Sequence, residues 1–132
     1  MSVDIASAAT RYVHHIDFTI EEKSAERVVS RMPVTDGIRN PFGTVHAGAV
    51  LWFADVTATV LAIQAGEVKP DGSGFPVALT LNAQLLGNVR EGELVATATF
   101  LRHGRRVSSV HTEVRGPDGK LLVDVTTTHM PV

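Results

Sequence analysis

Asp55 is the residue whose type and surroundings first indicate chemistry. It carries the only formal charge between His46 and Gly66, in a run made mostly of Ala, Val, Leu, Ile, Trp and Phe. Burying an ionised carboxylate is costly unless it is paired, so a chain keeps one there for hydrogen bonding or for catalysis. Two interpretations follow from Asp55 alone: a hydrogen-bonded structural carboxylate, or a catalytic base or nucleophile.

The segment before this run could stabilise a developing negative charge. It is rich in turn-forming residues, namely Asn40, Pro41, Phe42, Gly43 and Thr44. The run that follows predicts an α-helix over residues 46–66, since it is too long for a strand, lacks proline and ends at glycine. Its first N–H groups and the positive end of its dipole could polarise a carbonyl oxygen. Because it is apolar on all sides, this helix must be enclosed.

The spacing of His46 and Asp55 predicts the assembly. Asp55 follows His46 by nine residues, which at about 100° and 1.5 Å per residue is about 13 Å further along, on the opposite side of the helix. One helix cannot present both ends to one substrate. We therefore expect a homodimer with two equivalent sites, each combining His46 and Ala47 of one subunit with Asp55 of the second.

Composition sets broad limits on the class of protein. The 132 residues, 44% hydrophobic and 20% charged, predict a single globular domain over residues 1–132. The net charge of -2 argues against nucleic-acid binding, and the absence of cysteine excludes a thiol nucleophile. Residues 1–10 lack the pattern of a signal peptide, and a carboxylate in the middle of the apolar helix disfavours a membrane span. We expect a cytoplasmic protein with no membrane or nucleic-acid partner.

Apolar and polar residues alternate along six further segments, which predicts six strands. These are residues 15–21, 26–34, 77–86, 94–101, 107–114 and 121–129, after a loose or helical lead-in over residues 1–11. Tight turns at residues 103–104 and 116–119 make the last three strands an antiparallel meander. The order of two strands, a helix and four strands favours an α+β fold, with one antiparallel sheet wrapped around the helix.

Other polar residues give weaker signals. On the strand over residues 77–86, Thr80, Asn82 and Gln84 form a polar row that we expect to contact the helix. The other five histidines lack the compact spacing of a metal site; they are His14, His15, His103, His111 and His129. Ser108 and Ser109 have no nucleophile-elbow motif. A metal site and a serine hydrolase triad are therefore not expected.

Five segments resemble the hotdog-fold acyl-CoA thioesterases, specifically the phenylacetic-acid-degradation and 4-hydroxybenzoyl-CoA thioesterase group. They are residues 40–48 (NPFGTVHAG), Asp55, residues 80–82 (TLN), residues 89–94 (VREGEL) and residues 104–106 (GRR). The similarity extends over about residues 36–130 and includes the order of the strands. It implies a hotdog fold, an antiparallel sheet around one long central helix.

The resemblance also implies a reaction and catalytic roles. The protein would hydrolyse an acyl-CoA thioester to a free carboxylic acid and coenzyme A, with no cofactor and no metal. Asp55 would be the general base that activates water, or the nucleophile. The Ala47 N–H would polarise the thioester carbonyl, Asn40 and His46 would position substrate or water, and Thr80 would orient the attacking water.

The same resemblance points to a site for the coenzyme A part of the substrate. Its implied residues are Asn82, Arg102, His103, Arg105 and Arg106. The arginines could hold phosphates through charge-assisted hydrogen bonds, although an exposed polar hairpin is an alternative interpretation of this turn. Relatives are commonly tetramers built from two dimers, so a homotetramer is expected by analogy.

Two other functions stay open. Relatives usually carry Gly where this chain has Ala47, and the added methyl group favours a non-catalytic hotdog protein that binds acyl-CoA or an aromatic ligand. Hydration of an enoyl-CoA is less favoured, because such enzymes arrange an Asp and a His differently. The sequence does not indicate which acyl group is bound.

Overall fold

The computed structural model describes residues 11–132; most of the predicted lead-in lies outside this range. The elements in chain order are β1 (Thr19–Lys23), β2 (Arg27–Pro33), a 3-10 turn (Asp36–Ile38), α1 (Ala47–Gln64), β3 (Pro76–Leu85), β4 (Glu93–His103), β5 (Ser108–Arg115) and β6 (Leu121–Pro131). The strands form one sheet in the order β1-β2-β4-β5-β6-β3, with every neighbouring pair antiparallel. The predicted α+β arrangement is confirmed.

Helix α1 lies across the sheet and buries one face against it. The buried face consists of Ala49, Val50, Phe53, Ala54, Thr57, Ala58, Leu61 and Ala62. Its four alanines let the helix backbone approach the strands closely. The opposite face carries Val56, Val60 and Ile63, which are half-buried, and Trp52, which is 44% exposed. By length and hydropathy α1 could span a membrane, a test that the core helices of soluble proteins also pass.

The core is centred on Phe53, which is completely buried. Its ring meets the Phe18 ring edge-on, with centroids 5.1 Å apart. Complete burial of such a side chain contributes about 1.5–3 kcal/mol to folding. One turn further along, the buried Thr57 hydroxyl donates to the Phe53 carbonyl at 2.7 Å, so the polar group in the core is satisfied.

The first strand begins later than its alternating pattern predicts. The expected segment was residues 15–21, and β1 starts at Thr19. Residues 15–18 instead run along the 3-10 turn, where the His15 N–H donates to the Gly37 carbonyl at 3.1 Å. Ile16 and Phe18 still pack against the core, where the Phe18 ring contacts the Trp52 and Phe53 rings of α1.

The polar row on β3 faces away from α1, which corrects the expectation that it contacts the helix. A bulge between Ala78 and Thr80 shifts the register, so that Thr80 lies opposite Thr128 and Leu81 lies opposite the buried Thr127. Residues directly opposite each other in an antiparallel pair point to the same face. Leu81 therefore faces the helix, and Thr80 and Asn82 face outward.

Candidate active site

The loop before α1 is shaped by the Asn40 side chain. Its Oδ1 accepts the N–H groups of Phe42 and Thr44 at 2.9 and 3.3 Å, and its Nδ2 donates to the Thr44 hydroxyl at 2.7 Å. Gly43 completes the turn with a φ of 90°, a conformation that favours glycine. Asn40 therefore holds the loop and keeps one amide N–H for a substrate or water.

Asn88 and Arg90, which follow β3 in the chain, hold this loop in place through hydrogen bonds. The Asn88 side chain accepts the Val45 N–H at 3.1 Å and donates to the Val45 carbonyl at 2.8 Å, imitating a strand partner. Arg90 donates to the Phe42 carbonyl at 2.8 Å. These contacts give the motif over residues 89–94 a physical role, since it fixes the position of the helix start. Sequence reasoning missed Asn88, which precedes that motif by one residue.

His46 and Ala47 place two hydrogen-bond donors at the start of α1. The His46 Nδ1 accepts the Gly48 N–H at 2.9 Å, so the neutral imidazole carries its proton on Nε2. Ala47 is the first residue of α1, and its N–H has no acceptor within the helix. Both residues are exposed. Each of these two groups could donate a hydrogen bond to an oxyanion that develops near this end of the helix.

Asp55 lies on α1 beside an open cavity of about 370 Å³. The other residues that line this cavity are Val56, Thr59, Val60, Ile63, Phe75, Val77 and Ala78. Within the described part of the chain, the Asp55 Oδ1 is buried and has no hydrogen-bond partner. A carboxylate kept for structure would be hydrogen-bonded, so its surroundings favour a chemical role over a structural one.

The hydroxyl that accompanies Asp55 belongs to Thr59 rather than to Thr80. Thr59 follows Asp55 by one helical turn and lines the same cavity, whereas Thr80 points to the outer face of the sheet. Val77 and Ala78 are the β3 residues that line the cavity, and Ala78 lies opposite the buried His129 of β6. The spacing of four residues between Asp55 and Thr59 was the available signal, because such residues share a helix face.

The two halves of the candidate site lie in different cavities of the protomer. Asn40 and His46 line a cavity of about 360 Å³ with residues 11–14, and Asp55 lines the cavity described above. This separation agrees with the sequence argument that His46 and Asp55 occupy opposite sides of α1. One protomer brings Asn40 and His46 together, places Ala47 next to His46 at the start of α1 beside another cavity, and leaves Asp55 apart from them.

A basic turn joins β4 to β5. Arg102, Arg105 and Arg106 line a cavity of about 440 Å³ there, and no ion pair joins any of the three to another described residue. His103 stacks on Phe100, with centroids 4.6 Å apart and rings 10° from parallel, so packing fixes its ring.

The structure separates Asn82 from this basic turn. Asn82 lines neither of the two cavities that adjoin the turn, and its Oδ1 accepts the Gln84 side-chain amide at 3.4 Å. It lies opposite Thr126 on the edge strand β3, on the face that points away from α1. The expected coenzyme A set is therefore brought together only at residues 102–106.

His129 is a buried titratable group near Asp55 that the sequence argument gave no role. Its Nδ1 lies 3.4 Å from the Pro76 carbonyl, and its Nε2 lies 2.8 Å from the Thr127 hydroxyl. Burial lowers the pKa of His129, and the Pro76 carbonyl and the Asp55 carboxylate partly offset this effect. A neutral imidazole is therefore packed behind the Asp55 side of the helix.

Residues 42–123, more than half of the chain, match the thioesterase superfamily. The chain belongs to the thioesterase superfamily. The matched range contains His46, Ala47 and Asp55. The predicted hotdog fold and the predicted class of enzyme, a thioester hydrolase, are confirmed.

Curated relatives and solved structures agree with this assignment. The thioesterase is 30% identical over 105 residues to the 1,4-dihydroxy-2-naphthoyl-CoA hydrolase of Listeria monocytogenes, covering 78% of this chain and 82% of the relative. It is 28% identical over 109 residues to the enzyme of the same name from Escherichia coli, covering 83% and 77%. A hypothetical thioesterase of Streptococcus pneumoniae, solved with coenzyme A, has the same fold, with a TM-score of 0.78, 18% identity, and 88% and 86% coverage.

Proposed function

We propose that this thioesterase hydrolyses an acyl-CoA thioester to a carboxylic acid and coenzyme A. The observation that carries the proposal is the Asp55 carboxylate, whose buried Oδ1 has no partner among the described residues and adjoins an apolar cavity. Two relatives named as CoA-thioester hydrolases and a neighbour of the same fold solved with coenzyme A support this class of substrate. The cavity is lined mainly by apolar side chains, which suits an acyl group.

In the proposed reaction, Asp55 of one subunit accepts a proton from water as the water oxygen attacks the thioester carbon. The carbonyl oxygen becomes an oxyanion and is stabilised by the Ala47 N–H and the His46 Nε2–H of the other subunit. The C–S bond then breaks, releasing the carboxylic acid and the thiolate of coenzyme A, which takes up the proton that Asp55 accepted. Thr59 is placed to orient the water. Direct attack by Asp55, through an anhydride that water then hydrolyses, is the alternative.

This reaction needs a dimer, and the sheet edge supports one. Strand β3 spans ten residues and pairs with β6 along one edge only within the described chain. Phe75, Val77, Leu79 and Leu81 on and beside it are each at least 37% exposed. A long apolar edge strand tends to pair with another chain. We therefore propose that two copies meet through β3 and the uncovered face of α1; assembly into a homotetramer and a cytoplasmic location stay predictions.

The basic turn completes the proposal. Arg102, Arg105 and Arg106 have no competing ion pairs among the described residues, so their guanidinium groups are free to bind phosphate groups of coenzyme A. Asn82 and Thr80 are not part of the proposed site within one protomer, because they face outward.

Release of free thiol from a panel of aromatic and aliphatic acyl-CoAs tests the proposal. Asp55→Asn and Asp55→Ala should each lose at least about 10³-fold in kcat while remaining dimeric. Asp118→Asn is the matched control, because Asp118 lies in the exposed β5–β6 turn and an asparagine keeps its acceptor for the Lys120 N–H. Binding of acyl-CoA without turnover would instead favour a non-catalytic binding protein, the function that Ala47 in place of glycine supports.

A further inference from the structure

Residues 11–18 are docked against the loop that precedes α1. The Gly37 carbonyl accepts both the His15 N–H, at 3.1 Å, and the His14 Nδ1–H, at 2.8 Å. A Cβ atom at Gly37 would lie 2.5 Å from the His15 carbonyl oxygen, so the close approach requires glycine. At the other end of the segment, the Phe18 ring contacts Trp52 edge-on, with centroids 5.2 Å apart.

This docking places the His14 ring against His46. The ring centroids are 4.8 Å apart and the planes are inclined by 61°, an edge-to-face contact. Both rings line the cavity that also contains Asn40. Because the Gly37 carbonyl can only accept, the Nδ1 of His14 is the donor, and this hydrogen bond fixes the plane of the His14 ring.

The His46 side chain is exposed, and its ring makes a hydrogen bond and a ring contact with other described residues. One is the hydrogen bond from the Gly48 N–H to Nδ1, at 2.9 Å, and the other is the His14 ring. The hydrogen bond sets which nitrogen accepts, but a single bond leaves the ring free to tilt about it. The edge-to-face contact with the His14 ring restricts that tilt.

We propose that His14 is a positioning residue, which holds the His46 imidazole so that Nε2–H points at the substrate carbonyl oxygen. The expected effect on catalysis rests on the proposed function, whereas the orientation of the His46 ring rests only on its contact with the His14 ring. His14 needs no contact with substrate in this role. Misplacement of a catalytic donor by about 1 Å can cost about 10²-fold in rate, so orientation matters as much as presence.

Three substitutions distinguish the effect of the His14 ring from the effect of its hydrogen bond to the Gly37 carbonyl. His14→Ala removes both, His14→Asn keeps a side-chain donor for Gly37 without a ring, and His14→Phe keeps a ring without the donor. We expect kcat to fall about 3- to 10-fold in the Ala and Asn variants with KM unchanged, and to be largely restored in the Phe variant. A merely structural role would instead lower thermal stability and activity together.

Nuclear magnetic resonance provides a readout that does not depend on turnover. The Gly48 amide and the His46 ring nitrogens report the orientation of the imidazole, and both should shift or broaden in His14→Ala and stay near their native positions in His14→Phe. Unchanged resonances in His14→Ala, or equal kcat in the Ala and Phe variants, would overturn the proposal. If no acyl-CoA is hydrolysed at all, the proposed function fails, and the resonances still decide whether His14 orients His46.

Discussion

Substituting Ala47 by proline removes the proposed oxyanion donor and little else. Ala47 is the first residue of α1, where proline is well tolerated because the N–H has no acceptor within the helix. The preceding His46 has φ −66° and ψ 132°, in the extended region that a residue before proline prefers. The Gly48 N–H and its hydrogen bond to the His46 Nδ1 are left in place. The helix should therefore form normally in this variant.

The size of the effect follows from the number of donors. The backbone N–H of Ala47 and the Nε2–H of His46 are the two proposed to stabilise the oxyanion, and proline removes one of them. Loss of one such donor costs about 2.7–4 kcal/mol of transition-state stabilisation, so kcat should fall about 10²- to 10³-fold. KM should change little, because the ground-state carbonyl carries much less charge than the oxyanion.

Steady-state thiol release by Ala47→Pro, measured beside its melting temperature and its oligomeric state, tests this reasoning. Ala47→Ser is the matched control, since it keeps the N–H and differs only in the side chain. Ala47→Gly shows separately what the Ala47 methyl group does to substrate choice. A folded, dimeric Ala47→Pro protein whose kcat stays within about threefold of the native value would refute the assignment of this N–H as an oxyanion donor.

Three further predictions follow from the core, the buried histidine and the basic turn. Phe53→Ala should lower the free energy of unfolding by about 3–5 kcal/mol in denaturant titrations, because it empties the centre of the core. Because burial lowers the pKa of His129, the unfolded chain binds more protons than the folded protein as the pH drops below about 6.5. The free energy of unfolding should therefore decrease as the pH is lowered through this range, and His129→Asn should make that decrease smaller. Arg105→Ala and Arg106→Ala should each raise KM for acyl-CoA about 3- to 10-fold, with no effect on acyl-pantetheine substrates, which lack the nucleotide phosphates.

The central helix and the separation of His46 from Asp55 could be predicted from sequence. The run after His46 has the length and composition of a buried helix, and helical geometry alone places Asp55 on the side opposite His46. The structure confirms both features, with α1 over Ala47–Gln64 and the two residues in different cavities. These predictions succeeded because they depend on local geometry, which a sequence states directly.

The outward orientation of Thr80 could not be predicted, because it depends on one extra residue in β3. The bulge between Ala78 and Thr80 reverses the facing of every later residue relative to the start of the strand. Alternation in the sequence continues unbroken through it, so no pattern marks the shift. Thr59 could have been found from sequence, because it follows Asp55 by one helical turn, but the family resemblance points to a hydroxyl on a strand.

The docking of residues 11–18 also lay beyond sequence reasoning. It depends on the absence of a Cβ at Gly37 and on a carbonyl that accepts two hydrogen bonds from His14 and His15. These partners are more than twenty residues apart along the chain. Alternating residues in this segment predicted a strand from residue 15, and that prediction was wrong because packing against the turn competes with pairing in the sheet.

Subunit complementation is the most direct test of the shared site. Asp55→Asn and His46→Ala homodimers each lack one half of both proposed sites. After the two variants are mixed and allowed to exchange subunits, half of the dimers should be heterodimers with one intact site, so activity should recover to about 25% of the native value. Recovery near that level supports a site built from two subunits. No recovery, with exchange verified independently, would contradict the account.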